Sequence, residues 1–203
     1  MAVYTKISSK DIHLTNSKFD IDEIKSFQGI KKGIENTNYL LKTKNEKFIL
    51  TIFEKRVSNK EIPFFMKLMD NLNQSKISCP KPLKDKNGNY LFKLKNKIAC
   101  VVTFLKGKDK KVLNTNNCYQ VGKIISKMHS ITKKLKFSRK NSMGIQNLNT
   151  LLKSIKFKSK KNSNLEKFLG KNLSNIKKNW PSKLPNGIIH GDLFIDNIFF
   201  KKD

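Results

Sequence analysis

The sequence predicts an α+β fold, with a β-rich N-terminal half carrying one helix and a helical C-terminal half. Three observations lead there. Through about residue 105 the apolar residues come in short β-compatible runs broken by Gly, Asn and Pro, and one segment among them repeats at helical spacing. Past Gly107 the recurring spacing becomes helical. The longest apolar runs, such as Ile98–Leu105, fall far short of the roughly 20 residues a membrane-spanning helix needs, so no membrane-embedded chain is expected.

The elements follow in order. After a Ser/Asp/Lys-rich opening, Ile24–Gly29 alternates as a strand and ends at a glycine. Gly29, Lys32-Gly33 and Asn36 make a turn-rich link, and Asn38–Thr43 (NYLLKT) resumes as a β run. Thr43–Glu46 reads as a polar hairpin loop before Lys47–Glu54 (KFILTIFE), whose apolar residues suit a buried strand. Three antiparallel strands result. Ile62, Phe65, Met69 and Leu72 then recur on one face of a helix that should pack on the sheet. Ser58-x-x-Glu61 has the form of a capping box, but a start there would bury Pro63 inside the helix, so Pro63 is assigned to the first turn. The helix should end around Asn73–Ser75, ahead of Cys79-Pro80-Lys81-Pro82. Asn87-Gly88, between Leu83 and Tyr90–Phe92, is a tight-turn signal, and Ile98–Leu105 (IACVVTFL) is the strongest β run. Residues 1–105 thus read β-β-β-α-β-β and form one lobe; residues 106–203 form the second.

In that second part, Cys118, Val121, Ile125 and Met128 define a helix after the capping candidates Asn116-Asn117. Leu165, Phe168, Leu169, Leu173 and Ile176 define another, which Trp180-Pro181 and Leu184-Pro185 stop, with Lys153–Asn164 a surface link before it. The segment Gly187–Phe200 (GIIHGDLFIDNIFF) sets the short apolar strands Ile188-Ile189 and Ile198–Phe200 on either side of a polar centre.

Composition narrows the function classes. Of 203 residues, 43 are Lys or Arg and 15 Asp or Glu, a net charge of +28, yet only Arg56 and Arg139 are arginines. Such a charge attracts phosphate backbones. The planar fork that reads phosphate and guanine is nearly missing, however, and the lysines are interleaved with Asn and Ile, as an AT-biased codon supply would leave them. The densest basic stretch, Lys153–Lys161, holds one aromatic, Phe157, and no base-reading motif, so a solvated face is expected rather than a specific nucleic-acid site. At 37% hydrophobic residues the chain can bury a core. Cys79, Cys100 and Cys118 are scattered and are expected to be buried or half-buried thiols, with no structural metal among them. The N-terminus lacks the basic-then-apolar order of a signal peptide, which makes a cytoplasmic setting the expectation.

His190-Gly191-Asp192, with Asn197 after four intervening residues, is the sharpest constellation. Phosphoryl transfer to an alcohol needs a carboxylate to orient the hydroxyl and take its proton, and oxygen ligands to hold Mg²⁺ against the phosphates. Asp192 and Asn197 can supply both. The structural alternative is an Asp/Asn turn beside a satisfied histidine; the complete HGD-x-x-x-x-N frame following a β-β-β-α-β-β lobe favours catalysis.

Together these features resemble the protein-kinase-like small-molecule kinases of the aminoglycoside phosphotransferase and choline kinase group, and within it the homoserine kinase branch. The closer match is carried by MAVYT at the start, GIENTNYLLKT (Gly33–Thr43), FILTIFEKR (Phe48–Arg56), IPFFMKLMDNL (Ile62–Leu72), CPKP (Cys79–Pro82), VTFLKGK (Val102–Lys108) and GIIHGDLFIDNIFF (Gly187–Phe200). It covers essentially the whole chain. The resemblance implies a two-lobe fold and ATP-dependent, Mg²⁺-dependent O-phosphorylation of L-homoserine, a step of threonine biosynthesis. It implies Asp192 as catalytic base, Asn197 as Mg²⁺ ligand and His190 as a loop-ordering residue. It makes Gly29, Gly33 and Asn36 parts of a phosphate-covering loop, and Thr103, Phe104 and Leu105, following Val102, an interlobe linker whose backbone meets adenine, compatible with a buried strand there. His129 reads as a packing or capping residue.

Two departures stand out. Where kinases commonly carry a third-strand lysine for the α- and β-phosphates, this sequence has Thr51, so the charge falls to Lys55, Arg56 or a loop lysine. Glu61 is a candidate partner glutamate or a solvated N-terminal charge. The sequence also stops at Lys201-Lys202-Asp203, just past the catalytic loop, where family members continue to a second metal-binding aspartate. The expectation is an N-terminal fragment with an incomplete second lobe and exposed apolar surface. The rival readings are another small-alcohol kinase acting on choline, hydroxylysine or an aminoglycoside, a basic nucleic-acid-binding protein, and a fragment that binds nucleotide without catalysis.

Overall fold

The computed structural model describes residues 3–31, 33, 35–54, 58–141, 144–155 and 160–201. Lys32, Lys55, Arg56, Phe157 and Asp203 lie outside them, and with them two of the proposed phosphate cations.

The chain opens on a helix that the sequence reading lacks. In α1 (Ser9–Lys18) the Ser8 hydroxyl accepts from the Asp11 backbone N–H, while the Asp11 carboxylate accepts from the Ser8 N–H at 2.7 Å. That reciprocal cap satisfies two N-terminal donors and starts the helix. Only Ile12 and Thr15 are buried, a stripe too narrow to register as helical periodicity. The first part therefore carries two helices rather than one.

Five antiparallel strands follow: β1 (Ser26–Gly29), β2 (Thr37–Lys42), β3 (Lys47–Ile52), β4 (Phe92–Leu94) and β5 (Lys97–Thr103), in the spatial order β1-β2-β3-β5-β4. Registers such as Leu41 opposite Phe48 and Leu50 opposite Val101 put Tyr39, Leu41, Phe48, Leu50, Ile52, Ala99 and Val101 in one core with Ile12 and Phe19 of the α1 region. Because side chains alternate along a strand, Ile49, Ile98, Cys100 and Val102 form the other face. That face is covered by Ile62, Phe65, Met66 and Met69 of α2 (Ile62–Gln74). Leu41, Leu50, Ile52 and Val101 are fully buried, each contributing about 1.5–3 kcal/mol.

The expected α2 boundaries hold. Pro63 sits in the first turn, and the Ser75 N–H closes on Asn71 O at 3.0 Å. Ser58 and Glu61 form a turn (Glu61 N to Ser58 O, 2.8 Å), and Glu61 makes no side-chain cap, so the Ser58-x-x-Glu61 box is not formed. The β4–β5 reversal lies at Lys95-Asn96, both at positive φ (50° and 60°), as a tight hairpin turn requires. The Asn87-Gly88 signal marks an earlier turn, where Asp85 Oδ1 accepts from the Asn87 and Asn89 N–H groups at 2.9 and 2.8 Å.

In α3 (Thr115–Thr132) the cap is Asn114, not Asn116-Asn117: Asn114 Oδ1 accepts from Asn117 N at 2.8 Å and Asn117 Oδ1 from Asn114 N at 3.3 Å. Met128 packs with Leu72 and Ile77. Cys100 is buried and Cys79 half-buried, but Cys118 is exposed, because its position on α3 falls off the buried stripe. His129 is exposed in the last turn, where its carbonyl accepts from Lys133 N at 3.0 Å.

Two compact units result, one of Met1–Phe137 with Ile188–Asp203 and one of Ser138–Gly187. The second holds α4 (Ile145–Ser154) and α5 (Lys160–Lys178), the latter burying Leu173. The Lys153–Asn164 stretch is thus not simply a link: its ends belong to these helices. Among the described residues Ile188-Ile189 and Ile198-Phe199 form no strand, and Phe200 makes one isolated bridge to Lys108. Among the described residues no helix is long and apolar enough to cross a membrane.

Candidate active site

Gly191 explains the order His-Gly-Asp. Its φ of +77° turns the chain sharply between His190 and Asp192, in a region that residues with a Cβ rarely occupy. A 3-10 turn, Ile195–Asn197, then folds the chain back, with Asn197 N donating to Phe194 O at 2.9 Å. The outcome is direct contact between the two candidate residues. Asn197 Nδ2 donates to Asp192 Oδ2 at 3.0 Å and to the Asp192 carbonyl at 2.8 Å. One amide therefore fixes both the backbone and the carboxylate of Asp192. Among the described residues the second Asp192 oxygen and the Asn197 Oδ1 take no hydrogen bond. Both residues are exposed, as is His190, whose side chain enters no hydrogen bond among the described residues.

Both ends of this loop are tied to the first unit. At its entry, Thr132 Oγ1 at the end of α3 donates to Ile188 O at 3.2 Å. At its exit, Lys108 and Phe200 exchange two backbone hydrogen bonds (Lys108 N to Phe200 O, 3.0 Å; Phe200 N to Lys108 O, 2.9 Å). Lys110 Nζ lies 5.0 Å from the Phe200 ring centroid. The exchange is close because Gly107 has no side chain: a Cβ there would fall 2.9 Å from Phe200 O and 3.1 Å from Phe199 Cβ. The sequence reading missed Gly107, Lys108 and Thr132. Only the glycine left a signal, as the point where the pattern changed.

This bridge joins the loop to the linker. Thr103 N donates to Lys81 O and Thr103 Oγ1 accepts from Lys81 N, both at 2.9 Å, while Phe104 N donates to Lys47 O at 3.1 Å. Leu105, Lys106 and Gly107 enter no backbone hydrogen bond among the described residues, so the Leu105 N–H and C=O remain available to a planar heterocycle. Phe104 is 38% exposed, with Lys47 Nζ 5.8 Å from its ring centroid.

The candidate phosphate loop is the β1–β2 connection. Gly33 needs its positive φ of 105°; Gly29 instead has an ordinary backbone and lacks a side chain because Val3 packs over it. Asn36 Oδ1 accepts from Glu54 N at 3.3 Å, so Asn36 braces the loop's exit. Thr51 Oγ1 donates to Asn38 Oδ1 at 2.8 Å on the α2-facing side of the sheet, a polar contact with no cation in it. Neighbouring Thr37 and Glu54 belong to a polar cluster on the opposite face. Glu54 accepts from the Thr5 and Thr37 hydroxyls, each at 2.7 Å, and pairs with Lys97. Burial would raise the Glu54 carboxyl, but the Lys97 ammonium and the two hydroxyls outweigh it and hold it below the ordinary range. Nothing in the sequence spacing singled out that cluster.

Among the described residues no group of three or more His, Cys, Asp or Glu gathers as a metal cage. Asp192 Oδ1 and Asn197 Oδ1 are hard oxygens that the contact between the two residues does not use, the kind of donor that suits Mg²⁺, which completes its shell with water and substrate phosphates.

The chain is similar to several known proteins. The homoserine kinase of Bartonella tribocorum (strain CIP 105476 / IBS 506) is 36% identical over 203 residues, 98% of this chain and 63% of its own length. That of Rhodopseudomonas palustris (strain TIE-1) is 37% identical over 205 residues, 100% of this chain and 63% of its own length. The chain thus spans less than two thirds of the length of these relatives. Among solved structures, spectinomycin phosphotransferase APH(9)-Ia in complex with ADP and spectinomycin superposes with a TM-score of 0.63 at 13% identity, over 98% of this chain and 67% of that one. An aminoglycoside phosphotransferase from Alicyclobacillus acidocaldarius gives 0.53 at 7% identity, over 85% of this chain and 54% of that one. At such identities these two speak to the fold, which is the protein-kinase-like one. The family model described as phosphotransferase enzyme family matches residues 26–203, the sheet, the linker and the Asp192–Asn197 loop alike, and the chain belongs to that family.

Proposed function

We propose that this chain carries the nucleotide-binding and catalytic-loop part of a homoserine kinase, with residues 1–105 as the nucleotide lobe and 106–203 as part of the second lobe. The observation that carries the chemistry is the hydrogen bond from Asn197 to Asp192 Oδ2, which fixes the carboxylate and leaves its other oxygen to face an acceptor. The relatives at 36% and 37% identity support homoserine as that acceptor. ADP in the spectinomycin phosphotransferase structure supports a nucleotide as the second substrate.

The reading assigns these roles. Asp192 orients the homoserine hydroxyl and takes its proton as the oxygen bonds to the γ-phosphorus and the bond to the β-phosphate oxygen breaks. Asn197 keeps Asp192 in place through Nδ2 and, through Oδ1, would hold Mg²⁺, which would neutralise phosphate charge. The glycine turn at Gly191 orders the loop, with His190 beside it. Leu105 meets the adenine edge through its backbone, next to Thr103 and Phe104, and the Gly29–Asn36 loop covers the phosphates. A cytoplasmic setting, where ATP and free amino acids occur together, fits these substrates.

The test is an ATP-consumption assay with Mg²⁺ and a panel of homoserine, choline, serine and an aminoglycoside. Homoserine-dependent turnover is expected of the chain extended to the length of its relatives, falling about 10²–10⁴-fold on Asp192→Asn. Turnover unchanged by that substitution removes Asp192 as base, and preference for another acceptor replaces homoserine.

A further inference from the structure

The N-terminal segment crosses both stems of the β1–β2 connection on the face of the sheet away from α2. At the first stem, Val3 packs over Gly29 so closely that a Cβ there would lie 2.8 Å from Val3 Cγ2. At the second, Thr37 Oγ1 accepts from both the Tyr4 and the Thr5 N–H, at 3.0 and 3.1 Å, and donates to Glu54. Thr5 Oγ1 donates to the same carboxylate oxygen and accepts from Lys97 Nζ at 2.7 Å. Tyr39 Oη, on β2, donates to Thr5 O at 2.9 Å and accepts from Ile7 N at 3.3 Å. The Glu54 N–H then reaches Asn36 at the loop's end. Thr37 is fully buried and the Glu54 side chain only 10% exposed.

A buried ion pair is a poor source of net stability compared with apolar side chains of similar size. What it supplies is direction. Every member of this cluster has its partners within hydrogen-bond reach, and apart from the Glu54–Lys97 pair each bond ends on a stem of the loop, on its exit at Asn36, or on the segment that spans the stems.

We propose that the Val3–Ile7 strap, locked by Thr5, Thr37 and the Glu54–Lys97 pair, is a positioning device that fixes the two stems of the β1–β2 connection, at Gly29 and Thr37, and through them the backbone that meets nucleotide phosphates. It rests on the nucleotide-binding reading above. Thr37 and Glu54 touch no substrate; they act through the loop, so their effect is confined to ligands carrying phosphates. Misplacing such a loop by a fraction of an ångström to an ångström weakens its contacts severely.

The experiment is equilibrium titration of the full chain with MgATP and, separately, with adenosine. Thr37→Val removes the shared hydroxyl at nearly constant volume; Val3→Ala loosens the strap without touching a buried polar group and serves if Thr37→Val does not fold. Ile12→Val, in the same core layer, controls for loss of stability alone. Both strap variants are expected to weaken MgATP about tenfold or more while adenosine stays within about twofold, and Ile12→Val to leave the ratio of the two unchanged. An unchanged ratio in the strap variants, or an equal change in Ile12→Val, overturns the inference while the nucleotide site stands. Wild-type chain that binds neither ligand removes the nucleotide reading itself, and the inference with it.

Discussion

Replacing Gly107 by alanine isolates the bridge that ties the catalytic loop to the linker. Two penalties combine at this position. The backbone lies at φ +145°, where a side chain is strained by roughly 1–3 kcal/mol. The new Cβ would also meet Phe200 O at 2.9 Å and Phe199 Cβ at 3.1 Å, and the first of these is backbone that can retreat only by stretching the paired bonds between Lys108 and Phe200. Losing one or both of those bonds costs about 0.5–1.5 kcal/mol each. The expected loss is about 2–4 kcal/mol, read by urea denaturation with far-ultraviolet circular dichroism. Gly122→Ala is the matched control. Gly122 lies inside α3 with ordinary φ, and an added methyl group would meet nothing within 4 Å, so alanine there should stabilise by about 0.5–1 kcal/mol through helix propensity. Gly107→Ala as stable as wild type would show that the exit of the loop is not held where the geometry puts it. Opposite signs for the two substitutions would support the bridge.

Three further outcomes are expected. Asn114→Ala should cost about 1 kcal/mol in the same denaturation, whereas Asn116→Ala, one residue inside α3, should cost little, because only Asn114 caps the helix. Cys118 should react with a thiol reagent in the folded chain at mildly alkaline pH, while burial, which pushes Cys79 up to about 11 and Cys100 up to about 12, keeps Cys100 unreactive until denaturant is added; rapid labelling of Cys100 under native conditions would contradict its place between sheet and α2. For Glu54 the folded carboxyl titrates below its ordinary value of 4.5, so its stabilisation is complete above that value and is lost as the pH falls toward and through the lower folded one; Glu54→Gln should flatten the acid limb of a stability-versus-pH curve, and an unaltered limb would count against the cluster.

The sheet was legible because its strands announce themselves by apolar content between turn residues, most plainly in Lys47–Ile52 and in the unbroken run Ile98–Val102 of β5, which are covered on both faces. What escaped was structure specified by polar groups. α1 is started by a serine and an aspartate three residues apart and buries one narrow stripe, so hydrophobic periodicity is blind to it. The Lys95-Asn96 hairpin uses a lysine at positive φ, whereas the more familiar Asn87-Gly88 signal belongs to the turn before it. At the site, Asp192 and Asn197 could be read because their spacing fits a single loop. Their anchors could not: Thr132 and Lys108 meet the loop at its backbone atoms, and a residue that serves by its backbone leaves no mark of identity in a sequence.

That same dependence on backbone explains how so basic a chain can hold so particular a loop. The net charge of +28 sits almost wholly on lysines, and the described bonds that shape the loop from Ile188 to Phe200 involve none of their ammonium groups. Asp192 is fixed by an asparagine amide, the loop's entry by a threonine hydroxyl, its exit by paired peptide groups, and its sharpest bend by a glycine. The fixing groups, an amide, a hydroxyl and peptides, carry no net charge, and short hydrogen bonds within one loop are screened by salt far less than attraction acting across many ångströms. The loop's geometry is therefore insulated from the charge around it, while the diffuse positive field remains free to draw in a polyanionic nucleotide. Salt should accordingly slow nucleotide capture well before it disturbs the Asp192–Asn197 contact.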